Sequence, residues 1–147
     1  MKYININTDA SYSQTHLLGG YAFHIKGEDF VVRQSGVLKG NPVSSTEAEL
    51  MAIEYAMTIL LSQPSRKGNE KVVIWTDCRG AIGRIINPKT QVDKRANKLW
   101  KKLANKLGYA SLRHIKSHTE NEDIASLMNK WCDENARRAL QNKIVEN

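Results

Sequence analysis

Lys71-Val72-Val73-Ile74-Trp75-Thr76-Asp77 is the stretch on which the fold turns. Its centre is a short apolar run rich in β-branched residues and without polar alternation. A strand that is buried on both faces reads this way, and such strands belong to parallel pairings sandwiched between helices. The segments on either side agree. Upstream, Ser44-Ser45-Thr46-Glu47 follows Pro42 and opens a helix. Both Ser44…Glu47 and Thr46…Glu49 fit a capping box. Leu50, Ile53, Met57 and Leu60 then recur at helical spacing until Gln63-Pro64 stops the run. Downstream, residues 79–86 predict a short helix, weakened by Gly80 and Gly83 and ended by Asn87-Pro88. Residues 94–107 predict a longer one, with Ala96, Leu99, Leu103 and Leu107 on one stripe and Gly108 in the C-terminal capping position.

Further out, the pattern changes period. Residues 3–8 alternate, with Ile4 and Ile6 on one face. Gly19-Gly20 precedes a second alternating run at 21–26, Gly27-Glu28-Asp29 signals a turn, and 30–37 forms a third candidate strand. Connections this short favour an antiparallel meander. Residues 109–115 read as a fifth strand, and 122–144 as a last helix with Ile124, Leu127, Met128, Trp131 and Leu140 on its apolar side. The order β-β-β-α-β-α-α-β-α predicts an α/β fold. Its mixed sheet has the first strand near the centre, and the later strands join it in parallel through right-handed crossovers.

Composition bounds the function. The 147 residues are 41% hydrophobic and 25% charged, a globular balance that excludes a disordered or low-complexity chain and suits one domain over 1–147. No apolar stretch approaches the ~20 residues of a membrane span. Residues 1–7 alternate and do not resemble a signal peptide. Cys78 and Cys132 lie far apart with no CxxC, so a disulfide scaffold is not expected and a reducing, cytoplasmic location is. There are 22 Lys+Arg against 15 Asp+Glu, a net charge of +7 that favours a polyanionic partner, nucleic acid first. Lys89, Lys94, Arg95, Lys98, Lys101, Lys102 and Lys106 stand within one segment against a single acid, Asp93.

Two carboxylates carry the chemistry. Asp9 closes the first strand in Asn7-Thr8-Asp9-Ala10-Ser11, and Asp77 closes the buried one in Trp75-Thr76-Asp77-Cys78. The two strands are neighbours in the expected sheet, so both acids emerge side by side at strand C-terminal ends, where open α/β sheets place their sites. Carboxylates in contact repel each other, and a hard divalent cation relieves that conflict. Each Asp alone also suits a turn or a helix cap. Glu49 has a competing local role in a capping box with Thr46, and Glu47 competes with it for any site role. Spacing alone does not select Asp133 over Glu134 or Glu122. His118, in Ile115-Lys116-Ser117-His118-Thr119, suits a surface loop or a proton shuttle. His24 and His114 fall within strands and suit packing.

Taken together, Asn7-Thr8-Asp9-Ala10-Ser11, Gly19-Gly20-Tyr21, Ala48-Glu49-Leu50-Met51-Ala52, Trp75-Thr76-Asp77-Cys78, Ile115-Lys116-Ser117-His118 and Cys132-Asp133-Glu134-Asn135-Ala136-Arg137 resemble the motifs of type-1 ribonuclease H, in the family's order and over nearly the whole chain. The resemblance implies a ribonuclease H-like fold, a five-stranded mixed sheet with its first three strands antiparallel and helices on both faces. It implies endonucleolytic cleavage of the RNA strand of an RNA–DNA hybrid, with two Mg²⁺ ions as cofactor and Mn²⁺ as a possible substitute. Carried over residue by residue, it makes Asp9, Glu49, Asp77 and Asp133 the metal ligands and His118 the histidine near the site. Hydrolysis would leave 5′-phosphate and 3′-hydroxyl ends. Ser11, Ser45 and Thr46, with Lys94, Lys98, Lys101 and Lys102, become the candidate nucleic-acid contacts of a monomer that needs no membrane.

The chain departs from the family pattern in several places. Ala10 stands where Gly is usual, Cys78 where Ser is common, and Ser45-Thr46 where the family has two Asn. The separate basic helix of many bacterial members has no room between 87 and 96. The span from His118 to Asp133 is longer than usual, with the extra residues around 123–129. Two further readings use the same residues: a related nuclease acting on double-stranded RNA or DNA, and a basic nucleic-acid-binding domain without catalysis.

Overall fold

The computed structural model describes residues 2–63, 70–116 and 123–146. Three strands, β1 (Lys2–Ser13), β2 (Leu18–Lys26) and β3 (Val31–Val37), precede α1 (Ser45–Ser62). Then come β4 (Glu70–Thr76), α2 (Arg79–Ile86), α3 (Gln91–Leu107), β5 (Gly108–His114) and α4 (Ile124–Glu146). The five strands form one sheet in the order β3-β2-β1-β4-β5. β1 pairs antiparallel with β2 and β2 with β3, whereas β4 is parallel to both β1 and β5. The expected element order, mixed sheet and central first strand are therefore present. No helix among the described residues is long and apolar enough to cross a membrane.

Strand alternation divides the core in two. Ile4 and Ile6 of β1, Tyr21, Phe23 and Ile25 of β2 and Val72 and Ile74 of β4 point to one face. There they meet Leu50, Ile53, Met57 and Leu60 of α1, Ile85 of α2 and Leu103 and Leu107 of α3. The opposite face is covered by α4, which lies over β1, β2 and β3. This second interface is built from small groups, Ala22 against Cys132 and Ala136.

The burial of α4 corrects the expected stripe. Ser126, Asn129, Cys132, Ala136 and Leu140 face the sheet, while Ile124 and Leu127 are 69% and 45% exposed. The helix follows small residues because it must come close. A Cβ on Gly20 would lie 2.3 Å from the Ala136 carbonyl oxygen and 2.9 Å from the Leu140 amide nitrogen. Hydrophobicity misses such an interface, since contact distance rather than apolar area selects the face. Residues 123–129 form the opening of α4, capped by Asp123, whose Oδ1 accepts from the Ser126 amide at 2.7 Å.

Two helix starts also differ from expectation. Ser44 caps α1 by accepting from the Glu47 amide, but the Glu47 carboxylate turns to the Val43 amide at 2.7 Å. Thr46 lies inside the helix, so the alternative box with Glu49 does not form. α3 begins three residues before the expected start at 94, at a true capping box of Thr90 and Asp93. No helix intervenes between α2 and α3, as the short 87–96 stretch implied.

Asp93 is 2% exposed. Its carboxylate accepts from the Lys89 and Thr90 amides and from Arg84 Nε at 2.7 Å. Burial opposes its charge, but these donors prevail and hold it below the usual carboxylate range. Asp93→Ala strands Arg84 and two amides, and is expected to cost roughly 2–3 kcal/mol. Chemical denaturation checks this, and a loss under 0.5 kcal/mol would show the cap to be dispensable.

Candidate active site

The parallel ladder between β1 and β4 ends at Asn7↔Trp75. Two residues further along each chain segment stand Asp9, still within β1, and Asp77, just past the end of β4. Asp9 does not close its strand, as the sequence suggested. β1 runs on to Ser13 beside β2, while β4 stops at Thr76 and the chain turns into α2. This parting leaves the Ala10 amide without a partner strand on the β4 side. It donates instead to two carboxylates, Asp9 Oδ1 at 2.9 Å and Glu49 Oε1 at 3.1 Å. Ala10 has an ordinary negative φ, so the strand tolerates Ala at this position.

Glu49 arrives from the opposite direction, on the second turn of α1, which packs across β1 and β2. One carboxylate oxygen each from Asp9, Glu49 and Asp77 lie within 4.8 Å of one another. Asp9 is 2% and Glu49 8% exposed. Burial, then the Asp77 charge, push the Asp9 carboxyl up to about 7. Burial and the neighbouring Asp9 raise Glu49 well above the carboxylate range. Glu49 Oε2 is buried with no hydrogen-bond partner among the described residues. Three hard oxygen donors, two of them destabilised by their own charges and one with an orphaned oxygen, fit a divalent cation such as Mg²⁺ or Mn²⁺.

Asp133 stands near this cluster but outside it. Its charge adds to the upward pressure on Asp9, and α4 is moored nearby, where Cys132 Sγ donates to the Asn7 carbonyl at 3.4 Å. The Asp133 carboxylate is ion-paired with Arg137, one turn further along α4. That partner was legible as an i,i+4 acid–base pair. The shared Ala10 amide had no sequence signal, because it depends on where two strands part. Glu134 is exposed, Glu47 faces away toward Val43, and His118 and Glu122 lie outside the described residues.

Ser45 and Thr46 sit on the first turn of α1, the former exposed and the latter half-buried, and Ser11 is half-buried on β1. Thr46 lies beside Gly80 of the α2 entry, three residues past Asp77. Lys94, Lys98, Lys101 and Lys102 are all exposed on α3, which packs against α1, α2 and β5.

This site can be set against known proteins. Residues 1–141 match the RNase H family. The chain belongs to the RNase H family. No curated protein sequence matches it significantly. Among solved structures, it is similar to the N-terminal RNase H domain of a Mycobacterium tuberculosis protein, with a TM-score of 0.73 at 10% identity over 99% of both chains. It is also similar to RNase H1 of the archaeon Halobacterium salinarum, with a TM-score of 0.66 at 12% identity over 95% of this chain and 98% of that one. The prototype foamy virus protease–reverse transcriptase matches over 94% of this chain but 20% of its own, with a TM-score of 0.63 at 18% identity. At these identities the likeness is one of fold.

The raised carboxyls make a signed prediction. An Asp with an ordinary value of 3.8 that titrates near 7 in the folded state holds its proton more tightly folded than unfolded. Metal-free protein is therefore expected to lose stability as pH rises from about 4 to about 7, by an amount on the order of a few kcal/mol. Divalent cation should remove most of that loss at pH 7.5 and release protons as it binds. Melting at pH 5 and 7.5, with EDTA or with Mg²⁺, checks this. A metal-free protein equally stable at both pH values would contradict it.

Proposed function

We propose that this RNase H family member is a divalent-metal-dependent endonuclease that cuts the RNA strand of RNA–DNA hybrids, leaving 5′-phosphate and 3′-hydroxyl ends. The observation that carries the reading is the convergence of Asp9, Glu49 and Asp77 at the strand ends, on a fold whose family acts on such hybrids. In this reading Asp9, Glu49, Asp77 and Asp133 hold two Mg²⁺ ions. Bound there, divalent cations supply Lewis acidity that makes water a nucleophile near neutral pH and stabilises a leaving 3′ oxygen.

The protein's own part is positional. The Ala10 amide orients Asp9 and Glu49 toward each other and keeps a donor beside their oxygens. Asp133 joins by exchanging its Arg137 partner for the site, at small cost because a half-exposed i,i+4 pair is weak. The hydroxyls of Ser45 and Thr46, with Ser11, recognise 2′-hydroxyl groups across a shallow minor groove. Lys94, Lys98, Lys101 and Lys102 contact phosphates without regard to sequence. His118 carries a proton or assists product departure, a smaller contribution than that of the carboxylates. The protein works as a monomer in a reducing compartment.

Cleavage of labelled RNA–DNA hybrid, double-stranded RNA and double-stranded DNA, each with Mg²⁺ and with EDTA, tests the reading. Cutting of hybrid alone, only with metal, is expected. Equal cutting of duplex RNA or DNA would assign another nuclease specificity. Tight binding without cutting in Mg²⁺ or Mn²⁺ would make the chain a non-catalytic binding domain.

A further inference from the structure

Among the described residues, α4 covers only part of its face of the sheet. It lies over β1, β2 and β3, whereas of the β4 and β5 residues that point the same way Tyr109 and Arg113 are exposed, Lys71, Trp75 and Ser111 half-buried and Val73 buried. The register makes these a lattice. Tyr3, Lys71 and Tyr109 lie side by side across β1, β4 and β5, and Trp75 stands beside Arg113 four residues further on. Tyr3 is 52% and Tyr109 41% exposed, and Arg113 is exposed. Lys71 Nζ sits over the Tyr109 ring, 5.4 Å from its centroid. Trp75 is anchored by the bond from its Nε1 to Asn5 Oδ1, 3.1 Å. Lys26, paired in register with Asn5, adds a third cation at the rim. None of these rows contains an acid. Asp123, at the start of α4, borders the Trp75 end of this face, where Ile124 and Ala125 share a cavity with Asn5, Asn7 and Trp75, while six residues separate Asp77 from Lys71, roughly 20 Å.

Cross-strand packing alone explains a Lys between two Tyr rings. It does not explain why two large rings, Tyr3 and Tyr109, stand open to water beside cations, with no acid in the same rows of the sheet. Rings lying on an open sheet, spaced by strand pairing and set among positive charges, are the chemistry that stacks unpaired bases and neutralises their backbone. A duplex cannot use it, because its bases are already stacked on each other. We infer that Tyr3, Tyr109 and Trp75, with Lys71 and Arg113, form a platform for single-stranded nucleic acid on the open half of the sheet. It shares its face with the acidic cluster, and a strand running unpaired out of a bound duplex would meet it. The inference concerns binding alone and does not depend on which duplex the acidic site cuts.

Fluorescence anisotropy with fluorescein-labelled dT12 and rU12, at low salt in EDTA, reads the platform without the metal site. The wild-type protein is expected to bind at least one of the two, and the preferred strand tells whether a 2′-hydroxyl is read. Tyr3→Ala with Tyr109→Ala should weaken binding at least ~10-fold, and Tyr3→Phe with Tyr109→Phe should stay within about threefold, because stacking needs the ring and not the hydroxyl. Should the alanine pair fail to fold, Lys71→Glu with Arg113→Glu, two changes on the open surface, is expected to give the same loss. Failure of the wild-type protein to bind either strand would overturn the platform. So would unchanged affinity in folded alanine and glutamate variants. A dimer that dissociates on the Tyr substitutions would overturn it too, by assigning the face to a second copy of the chain.

Discussion

Asp9→Asn is expected to lower the rate of hybrid cleavage by ~10³-fold or more while raising the melting temperature of the metal-free protein at pH 7.5. The two effects have one cause. Asn keeps the shape of Asp and can still accept from the Ala10 amide, which now donates to Asp9 Oδ1 and Glu49 Oε1 together. It removes the charge that burial and Asp77 make costly. The folded protein gains because a buried repulsion is gone, and a cation loses a ligand for the same reason. Asp77→Asn should behave alike. Activity within tenfold of wild type in either variant would overturn the site assignment. A fall in stability as large as the fall in activity would mean that Asp9 serves the fold.

Gly20→Ala is expected to destabilise the protein by roughly 3 kcal/mol or more, an effect at the upper end for one methyl group. The added Cβ meets the Ala136 carbonyl oxygen at 2.3 Å and the Leu140 amide nitrogen at 2.9 Å. Both are backbone atoms of α4, so no rotamer change relieves the clash, and the helix must lift from β2. Asp133 rides on that helix and would move with it, so hybrid cleavage should fall too. Gly83→Ala is the control. A Cβ there meets nothing within 4 Å, and in the middle of α2 it should stabilise by up to about 1 kcal/mol. Chemical denaturation of both variants checks the pair. A mild effect at Gly20 would show that α4 has room to adjust.

Where reading the sequence succeeded, periodicity and burial point the same way. The apolar run from Val72 to Trp75 needs helices on both sides, and the alternation in β1 and β2 needs one face buried, so the sheet order followed. Asp9 and Asp77 were legible because each follows an apolar strand-like run, although β1 itself continues past Asp9 to Ser13. Glu49 and Asp133 were not, since each lies on a helix beside other acids and only family likeness selects it. The face of α4 was misread because closeness, not hydrophobicity, decides it, and the evidence for closeness lies in Gly20, more than a hundred residues away. The sharing of one amide by two carboxylates was beyond sequence reasoning, because it is set by the row at which β4 leaves β1.

The central claim is that Asp9, Glu49 and Asp77 form one cation-binding pocket. A crystal soaked in Mn²⁺ and measured at an anomalous wavelength tests it most directly. Anomalous density is expected among these three carboxylates, within bonding reach of Asp9 and of the now orphaned Glu49 Oε2. Density elsewhere on the molecule, with these carboxylates bare at saturating Mn²⁺, would contradict it.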